Sequence, residues 1–167
     1  GDLSVSSDKT FVKLPANTNL FLTNTYSTGV AVSSGTVLML VSNETYNNGG
    51  TEYCSLYYNN KKYNAVYSDV KNGIMSATQL NAYCNTLLSS TLSSSLKRTM
   101  GLVGDVRVYT LQAALKSLGF YTGALDGSYG AGTQSAVRNF QRSAGVGVDG
   151  SCGNETWAAL RARINGL

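Results

Sequence analysis

The stretch Asp126-Gly127-Ser128-Tyr129-Gly130-Ala131-Gly132-Thr133-Gln134-Ser135-Ala136-Val137-Arg138 returns as Asp149-Gly150-Ser151-Cys152-Gly153-Asn154-Glu155-Thr156-Trp157-Ala158-Ala159-Leu160-Arg161, at a constant offset of 23 residues. Asp, Gly, Ser, Gly, Thr, Ala and Arg are identical in the two copies, and Val137 matches Leu160. An aspartate side chain that accepts backbone N–H groups, followed by a glycine at positive φ, makes a tight turn. The second glycine and the threonine then lead into a helix. The motif is first of all a folding device, and the chain uses it twice.

Working outward, Val108, Leu111, Leu115 and Leu118 follow helical spacing, with Gly119 where a C-terminal cap belongs. Thr133, Val137, Phe140 and Ala144 repeat the pattern and end at Gly145, and Trp157, Leu160 and Ile164 make a third, shorter stripe. Three helices with short glycine-rich connections predict a compact bundle. Phe120, Phe140 and Trp157 lie on or beside the apolar stripes and are assigned mainly to its core.

The ordered set Leu111-Gln112, Leu118-Gly119-Phe120-Tyr121, Gly123, Asp126-Gly127, Tyr129-Gly130, Thr133, Ala136-Val137, Phe140-Gln141, Asp149-Gly150, Gly153 and Thr156-Trp157 resembles the peptidoglycan-binding domain of the first type. That family is a three-helix module attached to many wall hydrolases, transpeptidases and spore-cortex enzymes. The resemblance covers nearly all of residues 104–164 and implies a partner, bacterial peptidoglycan, met through its glycan strands or stem peptides. Cys152 departs from the pattern, since a thiol is unusual in that turn.

Residues 11–75 read differently. Leu20-Phe21-Leu22, Val30-Ala31-Val32, Thr36 to Val41, Glu52 to Tyr58 and Tyr63 to Tyr67 are strand-like, separated by Asn-, Ser- and Gly-rich turn signals. Cys54 to Tyr67 reads as a hairpin with Asn59 to Lys62 near its tip. Strands at this spacing predict a small barrel or a pair of packed sheets, and the pattern loosely resembles a bacterial SH3-like barrel. Ser76 to Gln79 signals a helix start, and the serine-rich run 89–95 a passage into a linker. The expected fold class is therefore α+β in two domains. A β-rich SH3-like domain with a C-terminal helix fills residues 1–96, a linker spans 97–103, and a three-helix peptidoglycan-binding domain occupies 104–167.

Composition narrows the function. Charged residues are only 13% of the chain, so neutral Asn, Ser, Thr, Tyr and Gly dominate its polar surface, which suits an extracellular protein. Residues 1–100 hold seven Lys/Arg against five acids and residues 101–167 six against four, which leaves +2 on each part. Nucleic-acid binders cluster their basic residues into a patch or stripe, so no nucleic-acid partner is expected. No apolar run reaches the roughly 18 residues that cross a bilayer, so no membrane span is expected. Gly1 is expected to follow a removed targeting segment, and the protein to lie outside the cell, on the wall. Oligomeric state is not legible.

The chain has no histidine, which removes Ser-His-Asp and Cys-His catalysis and argues against a His-ligated zinc. Cys54, Cys84 and Cys152 lack metal-ligand spacing. Neither a metal nor a cofactor is expected. In an oxidising compartment Cys54 and Cys84 are a candidate pair; the alternative is three thiols packed as small hydrophobes. Glu44 and Glu52 are the only glutamates before the linker, and acids on a turn-rich region are more often solvated than catalytic. No catalytic residue is therefore assigned. The function expected is non-catalytic wall binding, with the wall-binding part of a hydrolase as the alternative.

Peptidoglycan offers sugar faces, carboxylates and amides, which suit tyrosine rings, arginine forks, and hydroxyls or loop N–H groups. Tyr121, Asp126, Tyr129, Thr133, Gln134 and Arg138 gather such chemistry around the first turn and are the candidate ligand-binding residues. Asp126 and Thr133 compete for a second assignment as turn and helix-entry residues. Tyr129 aligns with Cys152, so the turn itself demands no ring there, and Tyr129 is expected to contact ligand rather than hold the fold. In the first domain Tyr46, Tyr53, Tyr57, Tyr58, Tyr63 and Tyr67 are densely placed, and strand alternation sends Tyr53 and Tyr57 to one face and Tyr58 to the other.

Overall fold

The computed structural model describes all 167 residues, and the fold is α+β. Contacts divide the chain into two units: Asp8–Ser76, and Gly1–Ser7 joined to Ala77–Leu167. The β-rich unit is thus an insertion near the start of the helical one.

The inserted unit contains β1 (Phe11–Lys13), β2 (Thr18–Phe21), β3 (Thr28–Val32), β4 (Val37–Met39), β5 (Tyr46–Asn48), β6 (Thr51–Tyr58), β7 (Lys61–Val66) and a short helix α1 (Tyr67–Val70). β1 pairs with β4, and the other five strands form one sheet in the order β3-β2-β7-β6-β5. All neighbouring pairs are antiparallel. The expected SH3-like barrel is corrected here: no closed barrel forms, because β3 and β5 remain edges and closure requires every edge to be paired. β1 and β5 were not legible as strands because each is three residues long, too short for alternation to register. The β6–β7 hairpin turns on Asn59 and Asn60, both at positive φ (48° and 66°), the backbone twist that a two-residue hairpin loop favours. One face of the sheet is sealed by Val12, Leu14, Leu20, Leu38, Leu40 and Leu56, and Tyr58 packs against this core. Tyr53, paired with Tyr46, lies on the opposite face.

In the helical unit, α2 (Ala77–Leu88), α3 (Val106–Ser117), α4 (Ala131–Ala144) and α5 (Asn154–Asn165) pack together. α3 is the central helix: Val108 through Leu115 are all buried. Asp105 caps it, accepting the Arg107 N–H at 2.8 Å and the Val108 N–H at 3.4 Å. The stripes expected for α4 and α5 are buried except at Ala144, which is half-buried, with Phe140, Trp157 and Leu160 wholly inside.

The domain limits differ from those expected. α2 was assigned to the β-rich domain, yet it packs on α3 and α5. The Trp157 indole N–H donates to the Leu87 carbonyl at 3.1 Å, and the Arg161 guanidinium donates to the Leu88 and Ser90 carbonyls at 2.6 and 2.7 Å. These bonds close the C-terminal end of α2, whose carbonyls would otherwise lack partners. The stretch expected to be a free linker is also built in. Leu96 and Cys152 exchange two backbone hydrogen bonds of 2.9 Å, and the buried Leu102 accepts the Tyr129 N–H at 3.0 Å. The first residues belong here as well, since Leu3 and the Asn85 side chain exchange two bonds of 2.8 Å. Serine-rich composition suggested a spacer because these partners are far away in sequence.

Cys54, Cys84 and Cys152 are free and buried, so the candidate Cys54–Cys84 bridge does not form. Burial pushes the Cys54 thiol up to about 11 and the Cys152 thiol to about 12. Native protein at pH 8 is expected to react slowly with a thiol reagent and to titrate three thiols once unfolded. Rapid labelling of the native chain would contradict this burial. No helix is long and apolar enough to cross a membrane.

Candidate functional site

The two repeat turns are each organised by a glutamine on the preceding helix. Gln112 on α3 is fully buried, and its amide N–H group donates to the Asp126 carboxylate (3.0 Å), the Ser128 carbonyl (3.1 Å) and the Thr133 hydroxyl (3.0 Å). Its carbonyl oxygen accepts the Asp126 and Gly127 N–H groups at 3.1 and 3.0 Å. Gln141 on α4 does the same for the second turn. It donates to Asp149 (2.9 Å), the Ser151 carbonyl (2.9 Å) and Thr156 (3.0 Å), and accepts the Asp149 and Gly150 N–H groups, both at 3.0 Å. Gly127 and Gly150 sit at φ of 70° and 75°, where any side chain would be strained. The Ser151 N–H, and after it the Gln141 amide, hold the Asp149 carboxyl below its ordinary value.

The candidate residues therefore fall into two groups. Tyr121, Asp126 and Thr133 gather around Gln112. Thr133 is buried, Asp126 also accepts the Ser128 N–H at 3.0 Å, and both serve the turn. Tyr121 is half-buried: its hydroxyl donates to the Ala124 carbonyl at 2.7 Å.

Tyr129, Gln134 and Arg138 gather around Gly150. Tyr129 corrects the expectation that it contacts ligand and not the fold: it is 4% exposed, and its hydroxyl donates to the Gly150 carbonyl at 2.6 Å. Its ring ties the first turn to the second, a task that the aligned Cys152 does not perform. Burial raises its phenol well above the ordinary value.

Gln134 and Arg138 are four residues apart and share one face of α4. Both pack so closely over Gly150 that a Cβ there would lie 2.9 Å from the Arg138 Nε and 3.0 Å from the Gln134 Cγ. Arg98 approaches the same face, its Nη1 lying 3.4 Å from the Gln134 Oε1. Arg138 is exposed and its guanidinium makes no hydrogen bond or ion pair, whereas the aligned Arg161 is committed to the end of α2. Two aligned arginines thus have different fates, one structural and one free. Sequence reading placed both glutamines in the family pattern but gave them no role, although each directly follows an apolar core residue, Leu111 or Phe140. They stand 14 and 8 residues before their aspartates, so the constant 23-residue offset did not include them.

The two glutamine-locked turns leave one side of α4 polar and open. The chain matches, over residues 105–160, the family model described as a putative peptidoglycan binding domain. It is 47% identical over 68 residues to the N-acetylmuramoyl-L-alanine amidase CwlM of Mycobacterium tuberculosis, covering 39% of this chain and 16% of that protein. It is 50% identical over 56 residues to a spore cortex-lytic enzyme of Oceanobacillus iheyensis, covering 34% of this chain and 20% of the enzyme. The spore cortex-lytic enzyme of Bacillus subtilis is 40% identical over 88 residues, 52% of this chain and 28% of that one. Among solved structures, the crystal structure of the SleB N-terminal domain is 40% identical, covering 45% of this chain and 99% of that one with a TM-score of 0.41. The chain thus spans well under a third of the curated relatives named here.

Proposed function

We propose that this protein binds bacterial cell-wall peptidoglycan without cleaving it and so anchors or targets itself to the wall from outside the cell. The observation that carries the reading is that the segment matched by the family model satisfies its own turns internally and still leaves Arg138 uncommitted on an open face. A guanidinium fork there suits a stem-peptide carboxylate, and Gln134 beside it suits a peptide amide. Tyr121 offers a half-exposed ring, while Asp126, Thr133 and Tyr129 hold the surface in shape. Catalysis finds little support, because the chain lacks histidine and its two N-terminal glutamates lie on exposed loop or strand positions.

A second reading is favoured by the names of the relatives. An amidase and cortex-lytic enzymes share this segment over a minor part of their length, so the chain fits equally the wall-binding part of a hydrolase whose catalytic part lies elsewhere. Incubating the purified chain with insoluble sacculi separates the readings. Sedimentation with the wall and no release of muropeptides supports binding alone, and released muropeptides would favour the hydrolase. Arg138→Ala is expected to weaken retention about tenfold, the worth of one charge-assisted contact. Equal retention of the variant would remove Arg138 from the site.

A further inference from the structure

The outer face of the five-stranded sheet carries a set of rings that neither the hydrophobic core nor the α4 surface uses. The pairs Tyr46↔Tyr53, Ser55↔Asn64 and Phe21↔Asn64 put these residues on one face. Tyr53 is at its centre, stacked with Tyr46 at 6.4 Å and meeting Phe21 and Tyr26 edge-on at 6.3 and 4.9 Å. All four rings are half-buried, resting on one another with part of each open to water. Below them the Tyr46 hydroxyl donates to the Asn64 side-chain carbonyl and is paired with Ser55 at 2.7 Å, so the platform is held from beneath.

Tyr26 supplies a second, independent observation. It belongs to the Leu22–Ser27 loop, closed by bonds from the Leu22 N–H to Ser27 (2.9 Å) and from the Tyr26 N–H to Leu22 (3.0 Å). Its φ is 55°, a conformation that glycine or asparagine adopts more easily. The turn has no need of tyrosine; what tyrosine adds is a ring over Tyr53. Residues Leu22 to Thr25 of this loop also form an open groove of about 290 Å³ with Lys61, Lys62 and Tyr63. The Lys62 ammonium lies 5.9 Å from the Tyr57 ring centroid, and neither lysine has an acidic partner.

We infer that this face is a second ligand site, a tyrosine platform for the sugar rings of a carboxylate-bearing glycan, with Lys62, which pairs with Tyr57 on the same face, meeting the carboxylate. A pyranose lays its C–H face on an aromatic ring and turns its hydroxyls outward, and rings already packed together lose little freedom on binding. A lone lysine complements scattered carboxylates, whereas a phosphate polymer calls for a denser row of cations. The glycan's identity rests on the wall-binding proposal: it is the peptidoglycan strand, whose muramyl units expose a carboxylate once their peptides are removed.

The test uses the full chain and soluble peptidoglycan strands freed of peptides, with neutral chitooligosaccharide as the uncharged probe. Tyr26→Gly removes the ring while suiting the backbone, so the melting temperature should hold and the Kd for strands should rise about tenfold. Lys62→Gln should weaken strand binding and leave chitooligosaccharide binding unchanged. If the parent sediments with sacculi but ignores peptide-free strands, this inference is wrong and wall anchoring survives; if it binds neither, both fail. Undiminished strand binding by Tyr26→Gly also overturns the platform.

Discussion

Gln112→Leu is expected to unfold the helical unit or bring it close to unfolding. Leucine fits the space but offers no hydrogen-bonding group, and Gln112 makes five bonds of 3.0 to 3.1 Å to the first turn. The buried Gly127 N–H loses its acceptor, whereas the Asp126 N–H keeps the Ala124 carbonyl at 3.1 Å. A buried polar group left without a partner costs about 1–3 kcal/mol, so the stranded Gly127 N–H and the lost bonds to Asp126, Ser128 and Thr133 should together cost about 3 kcal/mol. A small domain has only about 5–15 kcal/mol in hand. Gln141→Leu should cost a similar amount, since its network around the second turn is the same bond for bond. Gln112→Glu keeps the shape but replaces the donor with an oxygen facing the Asp126 carboxylate, so it should be destabilising at neutral pH as well. Urea unfolding followed by Trp157 fluorescence measures all three, because Trp157 is the single tryptophan and is buried in this unit. A loss below about 1 kcal/mol for Gln112→Leu would mean that water or a shifted turn replaces the amide.

Much of this unit was legible in the sequence, for a physical reason. Helical stripes such as Thr133, Val137 and Phe140 are local periodicities, and the Asp-Gly turns depend on residues adjacent in the chain. Partners distant in sequence were not legible. Gln112 reaches across 14 to 21 residues, and Arg161 reaches back 71 to 73 residues to the end of α2. Nothing in the composition of Ser89 to Ser95 signals that Asn154 binds both the N–H and the carbonyl of Leu92 within that run, at 2.7 and 3.0 Å. In the inserted unit, strand alternation separated Tyr53 from Tyr58 correctly. It could not show that β3 and β5 keep an open outer edge, because edge pairing depends on the order of strands rather than on the pattern within any one of them.

Tyr129→Ala should cost about 3–5 kcal/mol, the range for truncating a large buried ring, and for the same reason as Phe140→Ala. Sequence alignment of the repeat suggested the opposite, since Cys152 occupies the matching position without a ring. The structure explains the difference. Cys152 is tied through its backbone to Leu96, whereas Tyr129 crosses to the other turn and hydrogen-bonds the Gly150 carbonyl. The two positions are both buried, but only Tyr129 links the copies to each other. Tyr129→Phe isolates the hydroxyl and should cost about 1 kcal/mol, with the ring supplying the remainder. The aligned arginines give the matching control. Arg138→Ala should change stability by less than about 0.5 kcal/mol while weakening wall retention, as expected for an exposed side chain without partners. Arg161→Ala should do the reverse, because its removal frees the Leu88 and Ser90 carbonyls. Thermal unfolding and sedimentation with sacculi, measured on all four variants, separate scaffold from surface. Should Tyr129→Ala melt like the parent and lose only wall binding, the ring would be a ligand contact and its bond to Gly150 incidental.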